Sequence, residues 1–159
     1  MIETSVTGDS AVVASIREQY REITANVEQS IGRLTLKLLT RVKANKLSGQ
    51  VLNVRTGRLR RSITQKITKE LGLITGIVGT NVEYARPHEL GFKGAVSVKA
   101  HLRQIKQAWG KSITPRTVEV RSHSRQVNLP EKSFLRSALS EMTPEIMQTL
   151  QQSVRQGIL

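Results

Sequence analysis

Three histidines, His88, His101 and His123, are the first side chains to weigh for chemistry, because imidazole ligates metals and moves protons near neutral pH. They do not stand at helical ligand spacing, no cysteine assists them, and the only aspartate, Asp9, lies near the N-terminus. A metal site is therefore not expected. His88 and Glu89 are adjacent, as an acid/base pair could be, but neighbours in a turn point apart and no nucleophile or substrate-binding motif accompanies them. The glycines of Gly76-Ile77-Val78-Gly79 lack the lysine of a phosphate cradle, and no dinucleotide-binding fingerprint occurs. The sequence predicts no catalytic residue, no cofactor and no metal, and so a protein that is not an enzyme.

What remains is the chemistry of charge. Arg55, Arg58, Arg60 and Arg61 form a compact guanidinium cluster able to hold phosphates or carboxylates bidentately. Lys99 to Arg125 adds a second basic stretch, from which Lys99, Arg103, Lys106 and Lys111 stand out around Trp109. Between Arg41 and Arg125 there are 18 Lys+Arg against 4 Glu, so this middle segment carries the whole of the chain's formal charge of +13. A localised positive field attracts polyanions or acidic protein surfaces, and salt weakens that attraction. These nine residues are the candidates for contact with a neighbouring protein or a polyanion. A basic nucleic-acid-binding module that contacts DNA non-specifically is one reading of them. Against it, only Trp109 and Phe92 could serve as stacking aromatics, and no helix-turn-helix or RNP-type strand is present.

The elements that must position these residues follow from periodicity. Val13, Ile16, Tyr20, Ile23, Val27, Ile31, Leu34, Leu38 and Val42 recur every three or four residues and predict one long helix, with Ser10 as its N-cap and Gly49 as its stop. Thr56 is placed to cap a helical turn that sets Leu59 and Ile63 on one side and the arginines on the other. Alternation from Ile63 to Glu70 and a β-branched run from Leu73 to Thr80 predict an antiparallel hairpin. Within it, Gly76 and Gly79 mark a bulge or a close backbone approach. A short capped turn or helix is expected from Asn81 to Gly91, and two further strands over 95–102 and 117–127. The basic stretch 103–116 between them, with Trp109-Gly110 and Pro115, reads as a protruding loop or long hairpin tip. Pro130 introduces a last helical region, and Thr143-Pro144-Glu145 reads as the cap of a second C-terminal helix.

The fold class expected is α+β: a long N-terminal helix and C-terminal helices packed on a mainly antiparallel sheet, with a basic loop or hairpin protruding from it. A chain of 159 residues fits a single domain, with residues 1–9 as a flexible lead and 93–128 as a strand-loop-strand extension. The absence of cysteine excludes disulfides and thiolate chemistry. No stretch approaches the ~18 apolar residues of a membrane helix, and the N-terminus lacks the pattern of a signal peptide. The expectation is a soluble, unexported protein.

Three blocks in order go beyond composition: Thr56-Gly57-Arg58-Leu59-Arg60-Arg61-Ser62-Ile63, then Val78-Gly79-Thr80-Asn81-Val82-Glu83-Tyr84-Ala85 running into His88-Glu89-Leu90-Gly91, then Leu129-Pro130 through Phe134-Leu135-Arg136-Ser137-Ala138-Leu139. This series resembles the neck and tail-completion (head-tail joining) proteins of tailed bacteriophages, over about Leu34 to Leu150. Leu90 stands where that family often has an aromatic, Glu131-Lys132-Ser133 replaces a small residue and an arginine, and the segment 93–128 is long and individual. The resemblance implies a structural subunit of a virion ring that joins the DNA-filled head to the tail. The ring would be homo-oligomeric, sixfold in preference to twelvefold, and assembled in the host bacterial cytoplasm. Its partners would be connector or head-closure proteins and tail proteins, with non-specific DNA contact and no membrane. The resemblance also marks Thr56, Gly57, Leu59, Gly79, Tyr84, His88, Glu89, Gly91, Phe134 and Leu135 as structural positions of the family pattern.

Overall fold

The apolar stripe folds as predicted into one long helix, α1, spanning Asp9–Arg41, in a computed structural model that describes residues 9–157. Ser10 lies inside α1 rather than capping it, because the helix already includes Asp9. The expected flexible lead falls, apart from Asp9, outside the described residues. The helix widens into a π-helical turn over Val42–Gln50, which ends where Gly49 takes a φ of 125°. There the Lys46 carbonyl accepts hydrogen bonds from the N–H groups of both Val51 and Leu52. Glycine at that position closes the helix because no side chain strains the left-handed backbone.

After α2 (Arg58–Ser62), the strands β1 (Thr64–Glu70) and β2 (Leu73–Gly79) pair antiparallel from Thr64↔Gly79 to Glu70↔Leu73. Their two-residue turn, Leu71 and Gly72, has positive φ at both positions, which suits the right-handed twist of a tight hairpin. Gly76 is the close approach foreseen from sequence: a Cβ there would collide with Thr35 Oγ1 on α1. The pairing runs through Gly76 without a bulge, and nothing lies within 4 Å of a Cβ built on Gly79. The short helix α3 (Ala85–Leu90) begins four residues beyond Asn81, so Asn81 does not cap it. Instead the Thr80 hydroxyl accepts from the Val82 N–H at 3.2 Å and holds the approach.

The C-terminal region forms one continuous helix, α4 (Leu135–Gln156), with Pro144 inside it. This corrects the expected pair of helices. Proline costs the helix one hydrogen bond and crowds the carbonyl four residues earlier. Here the apolar face carries across the interruption, from buried Ala138 and Met142 through Ile146 and Leu150 to buried Ser153. Packing of that face against α1 holds the helix together, and the Ser30 and Ser153 hydroxyls meet in a buried 2.6 Å hydrogen bond.

Between α3 and α4 the chain forms β3 (Phe92–Val98), β4 (His101–Ala108), β5 (Lys111–Val120) and β6 (His123–Leu129). β3 pairs with β6 and β4 with β5, both antiparallel, so among the described residues all strand pairing is antiparallel in three two-stranded sheets and the architecture is α+β. The described residues divide into two compact units, a body of residues 9–85 and 133–157 and a second unit of residues 86–132. The body's core gathers Val42, Leu47, Ile63, Ala85, Phe134 and Ala138. Lys46 is 7% exposed and places Nζ 2.5 Å from Glu141 Oε1, while Arg41 Nε stands 3.7 Å from Oε2. The hydrogen bond from Lys46, helped by the charges of Lys46 and Arg41 and opposed by desolvation, holds the Glu141 carboxyl below its ordinary value of 4.5.

Candidate interaction surfaces

The three sequence blocks converge. Leu59 and Ile63 from the first, Val78 and Ala85 from the second, and Phe134, Leu135 and Ala138 from the third pack in or against the one core of the body. Phe134 is completely enclosed. Ser62 ties the first block to the second, since its hydroxyl lies 2.6 Å from that of Thr80 and also donates to the Leu59 carbonyl at 2.8 Å. In the second unit, the end of the second block meets the start of the third: the Lys132 N–H donates to the His88 carbonyl at 2.8 Å. Gly91 has φ 75°, and a Cβ there would stand 3.1 Å from the Glu131 nitrogen and 3.2 Å from the Leu129 carbonyl oxygen. Only glycine satisfies both the backbone angle and the space. Glu89 is buried, His88 is half-buried and Tyr84 is 41% exposed.

Around the first block, Gly57 at φ 70° sets the start of α2, and the Arg61 N–H bonds the Gly57 carbonyl at 3.0 Å. Thr56 contributes a long 3.4 Å contact from the Arg58 N–H to its hydroxyl rather than a true side-chain cap. Its carbonyl accepts from the Arg61 guanidinium at 3.2 Å. Leu59 turns toward the core while Arg55, Arg58, Arg60 and Arg61 are exposed. An open basin of about 510 Å³ is lined by Arg55, Arg60 and Arg61, together with Lys43, Val54, Thr56 and Gly57. Lys43 is a cation that the sequence pattern did not attach to this cluster. Only the turn after the π-helical segment brings it near. Arg58 does not line the basin.

The second group of predicted contact residues lies along a long hairpin, the second of the two forms expected for this stretch. Lys99 sits in the short interruption between β3 and β4, Arg103 and Lys106 are on β4, Lys111 opens β5, and Trp109 with Gly110 forms the two-residue turn. The interruption preserves the register, because Val98↔His123 and His101↔Val120 lie three residues apart on both strands. The result is a long hairpin from Phe92 to Leu129, two two-stranded sheets in one register, here termed the ribbon. Pro115 is accommodated at a register shift between Ile105↔Arg116 and Gln107↔Ser112, where its missing N–H removes no ladder bond. Beside that shift is an open concavity of about 520 Å³ lined by Arg103, Gln104, Ile105, Lys106, Gln107 and Ser112. Arg116, Arg121 and Arg125 belong to the basic stretch but were not singled out from it, and the return half of the hairpin places them on the same ribbon.

No family model matches the chain, and neither a curated protein nor a solved structure is significantly similar to it. Among the described residues, no three histidine or acidic side chains come together as a metal would require, and no helix is long and apolar enough to cross a membrane.

Proposed function

We propose that the chain is a structural subunit of a phage virion neck or tail-completion ring that joins the DNA-filled head to the tail. The observation that carries this reading is the convergence of the three blocks. Residues about 70 positions apart, Ile63 and Phe134, share one core, so the resemblance concerns one packed unit rather than scattered words. The role is geometric and involves no catalysis. A closed ring repeats one heterologous contact, in which a face of each subunit fits a different face of the next. Two apolar surfaces of the body suit that need. The first turns of α1 leave Val12, Ile16 and Tyr20 more than half exposed, and α4 leaves Leu139, Met147 and Val154 substantially exposed. A groove of about 200 Å³ between α1, β2 and α4, lined by Ile31, Leu34, Leu38 and Leu139 among others, adds a concave apolar element.

Light scattering of the purified full chain, without DNA and at low and high salt, tests the reading. A discrete closed oligomer that persists in high salt is expected, since its contacts are apolar. A strict monomer under every condition would refute ring closure by this chain.

A further inference from the structure

We infer that the ribbon from Phe92 to Leu129 is a nucleic-acid-binding element, which lays its cations along the phosphate backbone of duplex DNA and presents Trp109 to the bases at its turn. The inference stands on the ribbon alone and does not depend on the ring reading.

Charge is the first support. The ribbon carries eight Lys and Arg residues against one acidic residue, Glu119. Among the described residues, none of those eight cations takes part in an ion pair, whereas five cations of the body do. Like charges held this close repel one another unless counter-charge is supplied.

Burial is the second. No residue between Phe92 and Leu129 is buried, and a two-stranded ribbon without a core is marginal by itself in water. With nothing of its own to cover, its side chains are available to a partner.

The third is Trp109. It is the only tryptophan in the chain and it is 100% exposed, carried at the tip of a two-residue turn whose positive φ, like that of Leu71 in the first hairpin, belongs to the turn itself. A fully exposed aromatic ring among cations is what stacking on a base requires. Beside it, the concavity at the register shift is lined by donors: Arg103, Lys106, Gln104, Gln107 and Ser112. These are side chains that hold phosphate and sugar oxygens.

Geometry and charge together select the partner. β3 and β4 hold seven and eight strand residues, about 23 and 26 Å at about 3.3 Å per residue. A two-stranded ribbon fits the major groove of B-DNA, and an exposed aromatic ring can stack on a base. A second copy of the chain cannot supply the missing counter-charge, because each copy brings 25 Lys+Arg against 12 Asp+Glu. An acidic protein remains as the competing occupant, and the experiment separates it.

The test is titration of the full-length protein with a short mixed-sequence duplex, read by the emission of Trp109 and by anisotropy of labelled DNA. Because the chain has one tryptophan, emission reports the ribbon's turn and nothing else. Quenching on binding is expected. If half of the eight cations meet phosphates, log affinity falls with log salt at a slope of about −3.6, so binding weakens about 150-fold between about 50 and 200 mM salt. Arg103→Gln, Lys106→Gln, Lys111→Gln and Arg116→Gln combined should weaken binding by at least about tenfold and flatten the slope by about one unit for each phosphate no longer neutralised. The matching body variant, with the exposed Arg17, Arg33, Lys66 and Arg155 replaced by Gln, should stay within about twofold. Circular dichroism confirms that both variants remain folded, and native mass reports the ring separately. Absence of binding, binding without a change in Trp109 emission, weakening only in the body variant, or an equal response to polyglutamate would each overturn the assignment.

Discussion

The body and the ribbon treat their charges in opposite ways. In the body, Lys37 pairs with Glu145, Lys69 with Glu28, and Arg41 and Lys46 with Glu141, and the side chains between them enclose a core around Phe134. In the ribbon, basic and apolar residues are intermixed and, among the described residues, find neither a core nor an ion-pair partner. On β3 and β6, Phe92, Val96, Val98, Val127 and Leu129 share one face with His123 and Arg125, while Lys93, Ala95, Ser97, Ser124, Gln126 and Asn128 share the other. The difference teaches that stability resides in one unit and unsatisfied interaction potential in the other. Substitutions should therefore act on folding in the body and on association in the ribbon.

The strongest test of that division is Phe134→Ala. The ring is fully enclosed, so its removal should cost about 3–5 kcal/mol of unfolding free energy, measured by urea denaturation. A smaller change would mean that the three blocks do not depend on one another. Next is Gly76→Ala, where the new methyl meets Thr35 and should cost about 1–3 kcal/mol. Adding Thr35→Ala should restore part of it, because the two sites share the clash. Gly79→Ala, with open space at its Cβ, is the control that should change little.

Glu141→Gln should act through pH. Because the folded carboxyl is held below 4.5, its contribution to stability is fully present above that value and is lost as pH falls through the lower folded value. The gap between native protein and variant should accordingly be constant at neutral pH and close in acid, as followed by thermal melting at several pH values. The smallest effect belongs to Trp109→Ser, which should leave the body's melting unchanged to within about 0.5 kcal/mol. A larger shift would show that the ribbon supports the body after all.

Local periodicity made much of this architecture readable from sequence. The stripe from Val13 to Val42, the stop at Gly49 and the hairpin over β1 and β2 each depend on spacing or on a turn residue, and each formed. Pro144 misled because a local breaker was overridden by a face that stays apolar from Ala138 to Leu150. The stretch 103–116 allows two readings from sequence, a loop or a long hairpin tip, and it is the hairpin that formed. A two-residue turn at Trp109-Gly110 and one register shift at Pro115 absorb the breakers that suggested a loop. The stripe on α1 is continuous in sequence, although Ile16 and Tyr20 remain exposed while Leu34 and Val42 are buried. Periodicity marks an apolar face but does not say what covers it. Of the candidate contact residues, the arginine cluster was evident as a run of charge. Lys43 and Arg116 join their groups only through tertiary turns and strand pairing.

The insertion of residues 86–132 between the two halves of the body has a consequence for the order of events during synthesis. The Ser30–Ser153 hydrogen bond and the packing of Phe134 with Ile63 require the last helix to emerge before the core can close. Until then α1 and the first hairpin wait. If the ribbon zips first, Phe92 is already beside Leu129, and the segment to be closed between Ala85 and Ser133 shrinks from nearly fifty free residues to about nine. Loop-closure entropy grows with the logarithm of length, so prior zipping lowers the cost of docking α4 by about 1.4 kcal/mol. The ribbon thus acts as an internal clasp, aligning the two halves of the chain before either can complete the core alone.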